Sequence, residues 1–146
     1  MQAGSQVTDI ARVIQLSVAP VFLISGVGAL LAVLTGRLGR TIDRARLLKA
    51  ALPESDGIAH ARIHQELNVL AHRAKLIYLA ILLGSTSALL VCFVIVSLFI
   101  SALAHYPIST IVGTLFIAAM LALIAALLFF LREVFLATRV LRIGPE

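Results

Sequence analysis

The sequence predicts an all-α membrane protein: three transmembrane helices, with a cytoplasmic antiparallel helical hairpin extending the first two. Three observations lead there. Hydrophobic residues make up 61% and charged residues 13% of the 146-residue chain, whereas about a quarter of a soluble domain is charged. Three stretches, residues 13–36, 76–104 and 108–131, contain no Asp, Glu, Lys or Arg. At about 1.5 Å per residue, each can cross roughly 30 Å of hydrocarbon. Finally, the basic residues gather beside these runs rather than over a general surface. The positive-inside rule accounts for that pattern more simply than nucleic-acid binding does, despite the net charge of +5.

The chain reads as one membrane domain over residues 1–146. Residues 1–15 read as an interfacial helix, with Val7, Ile10, Ala11 and Ile14 on one face, Ser5 or Thr8 as a cap and Asp9 in the first turn. Pro20 removes a backbone donor and predicts a kink near Leu16. No basic stretch precedes this apolar run and Arg37 follows it, so an uncleaved anchor is expected rather than a cleaved secretory signal. The first transmembrane helix occupies 16–36. Gly28, Ala32 and Gly36 recur every four residues along it, a spacing that lets another helix backbone approach closely.

No turn signal interrupts 37–52, so the helix should continue past the bilayer until Pro53-Glu54-Ser55-Asp56 stops it and restarts the chain. Residues 37–75 then form the cytoplasmic hairpin, with Leu38, Ile42, Ala45 and Leu52 opposing Ile63, Leu67, Leu70, Ala74 and Ile77. Folding at the proline brings Arg40 and Arg44 beside Glu66, while Asp43 lies three residues from both Arg40 and Arg46. Arg37 and Lys75, nearest the bilayer, are expected to meet lipid headgroups. Each basic residue there contributes about 1 kcal/mol of attraction to an anionic surface.

The second span, 76–104, carries a small-residue ridge at Ala80, Gly84, Ala88 and Cys92, a partner for the ridge of the first helix. Ser85, Thr86 and Ser87 place hydroxyls beside it, free to bond their own helix or a neighbour. As a lone cysteine, Cys92 supports no disulfide. A turn at His105-Tyr106-Pro107 leads to the third span, 108–131, with a ridge at Ala118, Ala122 and Ala126. The tail, 132–146, is helical in pattern, adds Arg132, Arg139 and Arg142, and stops at Gly144-Pro145. Eight Lys or Arg between the first two spans and three in the tail, against Arg12 alone opposite, place the amino terminus outside and the carboxyl terminus in the cytoplasm.

With the spans placed, three blocks of sequence carry a resemblance. They are Val18-Ala19-Pro20-Val21-Phe22-Leu23 running into Leu34-Thr35-Gly36-Arg37-Leu38, then Asp43-Arg44-Ala45-Arg46, then Arg132-Glu133-Val134 with Leu136-Ala137-Thr138. The chain resembles the uncharacterised bacterial membrane family known as domain of unknown function 2721, from about Val18 to Ile143. The resemblance implies a small protein of the bacterial inner membrane and no established activity. The segment around Ala51 to Arg62 lies outside the motifs that carry it.

Residues suited to catalysis or cofactors are sparse. His60 and His64, four apart on a helix, have the spacing of a metal-binding pair, and His72 follows on nearly the same side. A closed zinc site needs further ligands, no Cys or intervening acid is at hand, and surface histidines are the expectation. The same histidines could make a pH-responsive arm. No phosphate-binding glycine loop or nucleophile–base spacing is present. Ser85, Ser87 and His105 sit at depths that one continuous helix keeps apart. With no ionisable residue in the apolar cores, proton-coupled transport is disfavoured. The expectation is a non-enzymatic protein without cofactors, with membrane lipids, anionic headgroups among them, as partners and no nucleic acid.

Three functions remain open from the sequence. One is a homo-oligomer or an accessory or scaffold subunit of a larger membrane complex, docking through the hairpin. A second is an oligomeric channel lined by Ser85, Thr86, Ser97, Ser101 or Thr114. A third is a sensor that depends on anionic lipid through Arg37, Arg40 and Arg44.

Overall fold

A computed structural model of the chain describes residues 2–104 and 109–141, with side chains described at 7–8, 10–103 and 109–138. Three long helices, α1 (Gln2–Ala51), α2 (Ile58–Ala104) and α3 (Ser109–Leu141), account for nearly all of these residues. Each is long and apolar enough to cross a membrane, which makes this a multi-pass membrane protein. Helix is the physical consequence of such runs, because lipid offers no hydrogen bonds to a backbone that does not satisfy itself.

α1 runs through Pro20 and through the glycines at 26, 28, 36 and 39 without interruption. Residues 2–15, expected as an interfacial helix, belong to this same continuous helix. Pro20 is buried, and one turn earlier Ser17 Oγ donates to the Val13 carbonyl at 2.8 Å. The side chains of Ser5 and Asp9, and the expected turn at His105-Tyr106-Pro107, lie outside the described residues, as do Arg142 and the Gly144-Pro145 stop.

The turn between α1 and α2 lies where Pro53 predicts it. Leu52–Glu54 form a single 3-10 turn with proline in its first positions. Ser55 closes it, its N–H donating to the Leu52 carbonyl at 3.2 Å and its hydroxyl to the same oxygen at 2.8 Å. Gly57 then takes φ +57°, in the left-handed region that favours glycine, and its carbonyl accepts from Ala61 N–H at 3.2 Å as α2 begins.

The chain divides into two compact units, each containing a piece of every helix. The first comprises residues 1–30 and 83–124. Val27, Val91, Val94 and Ala119 are buried in it, and Ser87 Oγ donates to the Ala119 carbonyl at 2.7 Å, joining α2 to α3. The second comprises residues 31–82 and 125–146. Its buried residues are Leu34, Thr41, Leu70, Leu76, Ile77, Ala80, Ala126 and, unexpectedly, Glu133. The most apolar windows of the three helices are only 11%, 28% and 11% buried. Most of the apolar surface therefore faces outward, the arrangement expected where lipid is the solvent.

Candidate functional site

In the second unit, α1 places Arg37, α2 places Arg73 and α3 places Glu133, each beside the end of an uncharged run. The Glu133 side chain is fully buried, while those of Arg37 and Arg73 are 26% and 23% exposed. Arg73 donates from Nε at 3.2 Å and Nη2 at 2.8 Å to Glu133 Oε1. Arg37 Nε lies 3.2 Å from the other oxygen, Oε2. That second contact is an ion pair by distance only, since Oε2 accepts no hydrogen bond of acceptable geometry. Arg37 also lies over the Phe130 ring, 5.5 Å from its centroid, where the negative face of the π system attracts the cation. One carboxylate thus holds two guanidiniums, and through them all three helices. A buried carboxylate without such partners would be far more costly than an exposed one.

One helical turn and more along α1, Arg44 reaches Glu66 on α2, with Nε at 2.9 Å and Nη2 at 2.8 Å from Oε1. This pair is exposed, and pairs of that kind contribute about 1 kcal/mol or less. Arg40, between the two clusters, makes no ion pair among the described residues. Arg37, Arg40, Arg44 and Arg73 line one open recess of about 360 Å³, together with Thr41 and Leu70. Thr41 is committed to its own helix, its hydroxyl donating to the Arg37 carbonyl at 3.0 Å.

A family model described as a protein of unknown function, DUF2721, matches residues 17–143. The chain belongs to the DUF2721 family. The match takes in every residue of the arginine and glutamate cluster, and it runs through the 51–62 segment as well. No match was found among the curated proteins or among the solved structures.

Of the polar residues that the sequence singles out in this DUF2721 chain, Arg44 and Glu66 meet directly. Arg40, expected beside the same carboxylate, instead lines the recess. Arg37, expected to turn to headgroups, contacts Glu133 and Phe130. Asp43, Lys75 and Arg132 are exposed and make no ion pair among the described residues, and the Arg139 side chain lies outside them. Sequence reasoning missed Arg73, Phe130 and the role of Glu133. One signal was available: Glu133 is the only acidic residue between Glu66 and Glu146, and it stands two residues beyond an uncharged run, next to Arg132.

The small-residue ridges divide. Ala80, Gly84 and Ala126 are buried, Ala88 and Ala122 are half-buried, and Gly28, Ala32, Gly36 and Ala118 are exposed. A Cβ added at Gly28 or Gly36 would meet nothing within 4 Å, so among the described residues no other helix packs against α1 at either glycine. Cys92, at the end of the α2 ridge, is exposed as well.

His60 and His64 form a pair on α2, with Nε2 atoms 3.2 Å apart and ring centroids 4.8 Å apart. Ser55 Oγ lies 3.3 Å from His60 Nδ1. Among the described residues, no three or more His, Cys, Asp or Glu side chains are grouped to hold a metal ion. Of the hydroxyls considered for a pore, Thr114 turns to its own helix, bonding the Thr110 carbonyl at 2.8 Å and that of Ile111 at 3.0 Å.

Proposed function

We propose that this chain is a non-enzymatic protein of the bacterial inner membrane that self-associates, serving as a structural or accessory subunit of a membrane assembly. The observation that carries this reading is the outward placement of the α1 ridge. Gly28, Ala32 and Gly36 are exposed, with open space beside both glycines. In lipid no hydrophobic force drives helices together, and close backbone approach at small residues every fourth position is the common substitute. A ridge with no occupant among the described residues fits a second copy.

The basic segment at 37–75 and the tail face the cytoplasm in this reading. That orientation rests on eleven Lys or Arg on one side against Arg12 on the other. The hairpin then projects from the bilayer as the docking arm for a partner. Molar mass measured in lipid nanodiscs or by cross-linking in native membranes tests the proposal. Gly28→Leu with Gly36→Leu is expected to convert an oligomer to a monomer while the chain still folds, because a Cβ added at either position meets no atom within 4 Å among the described residues. A wild-type protein that is monomeric at native expression levels would end the self-association reading.

A further inference from the structure

The arginine-lined recess has a composition that its structural ion pairs do not explain. Arg37, Arg40, Arg44 and Arg73 all line it, and among the described residues no carboxylate does. Glu133 holds Arg37 and Arg73, and Glu66 holds Arg44, so four positive charges face two negative ones and a net +2 remains. Donors remain as well. Arg73 and Arg44 each commit Nε and Nη2 to a single carboxylate oxygen, leaving Nη1 uncommitted, and Arg40 makes no ion pair among the described residues.

We infer that this recess binds a phosphate group of net negative charge, the chemistry shared by an acidic phospholipid headgroup and free phosphate. Planar guanidinium forks match phosphate oxygens in pairs, which is why arginine outnumbers lysine where such groups are recognised. Several forks converging from two helices suit a tetrahedral oxyanion better than a flat carboxylate. The recess also sits where the uncharged runs end, the level of lipid phosphates when those runs cross a bilayer. Arg37 is the first charge after the uncharged run 13–36, and Arg73 with Lys75 is the last before the run 76–104. Leu70 supplies an apolar wall. Glu133, fully buried and outside the lining, is a positioning residue: it fixes where Arg37 and Arg73 present their remaining donors. This inference does not depend on self-association, since its readout is ligand affinity and not molar mass.

The test is a titration of the full chain in detergent, read as thermal midpoint against ligand concentration. The probes are short-chain phosphatidylglycerol, short-chain phosphatidylcholine, inorganic phosphate and a glutamate-rich peptide. Phosphatidylglycerol is expected to bind saturably and more tightly than phosphatidylcholine, whose choline cation opposes the arginines. Arg40→Gln, which removes no structural ion pair, is expected to weaken binding about fivefold. Arg46→Gln, at another exposed arginine outside this recess, is expected to change it less than about twofold. Arg73→Gln disturbs the Glu133 cluster and can fail to fold, so the comparison rests on Arg40 and Arg46.

Saturable binding of inorganic phosphate with the same Arg40 dependence, but none of phosphatidylglycerol, would assign the source to free phosphate and support the shared chemistry. Equal losses from Arg40→Gln and Arg46→Gln would reduce the effect to diffuse surface charge and overturn the site. Saturable binding of no phosphate probe, or tighter Arg40-dependent binding of the acidic peptide, would also overturn it.

Discussion

Arg73 and Glu133, sixty positions apart in the chain, are joined by two hydrogen bonds to one carboxylate oxygen, at 2.8 and 3.2 Å. With Arg37 on the second oxygen, this contact is where three helices depend on one buried charge. Glu133→Gln removes the charge and leaves two largely buried guanidiniums facing a neutral amide. Breaking one partner out of a buried ionic cluster typically costs about 3–5 kcal/mol, so a steep fall in thermal midpoint is expected. Unfolding in detergent, with Arg44→Gln alongside, measures it. A Glu133→Gln midpoint equal to that of Arg44→Gln would remove the central role given to this carboxylate.

The Arg44–Glu66 pair should behave differently because it is exposed on both sides, at 57% and 43%. Arg44→Gln is expected to lower stability by about 1 kcal/mol at most. The difference from wild type should vanish near 1 M salt, where screening acts within about 3 Å. A salt series on both proteins decides this, and a difference that persists at high salt contradicts it.

Ser87 ties α2 to α3 through the Ala119 carbonyl while fully buried. Ser87→Ala loses one interhelical hydrogen bond, worth about 0.6 kcal/mol in membrane proteins. Ser87→Leu must also find room for a larger side chain, which raises the loss to about 1–3 kcal/mol. The order of the three midpoints, wild type above Ala above Leu, is the result to look for.

Gly57 has open space around it but a φ of +57°. Gly57→Ala is therefore expected to destabilise through backbone strain alone, by about 1 kcal/mol, and Gly57→Asn by less because Asn tolerates this region. Equal midpoints for the glycine and alanine proteins would show that the turn does not need the left-handed conformation.

Much of the fold was legible because it is written locally. Hydropathy picks out three helices apolar enough to cross a membrane, and Pro53 through Gly57 marks the turn with residues whose backbone preferences act over a few positions. Arg44 and Glu66 could be paired by counting outward from that turn, since two helices joined by a short connection share a register.

The sequence by itself determined that the chain is helical, that three runs suit lipid, and that its basic residues gather at the ends of those runs. Only the tertiary structure decided which of those charges meet. Arg37, Arg73 and Glu133 come together because three helices pack side by side near the ends of their uncharged runs, a relationship between distant segments to which no periodicity points. The same packing gathers four arginines around one recess. Small residues and positive charges can be counted along a chain, but whether they face a neighbour, a lipid or a ligand depends on how the helices pack.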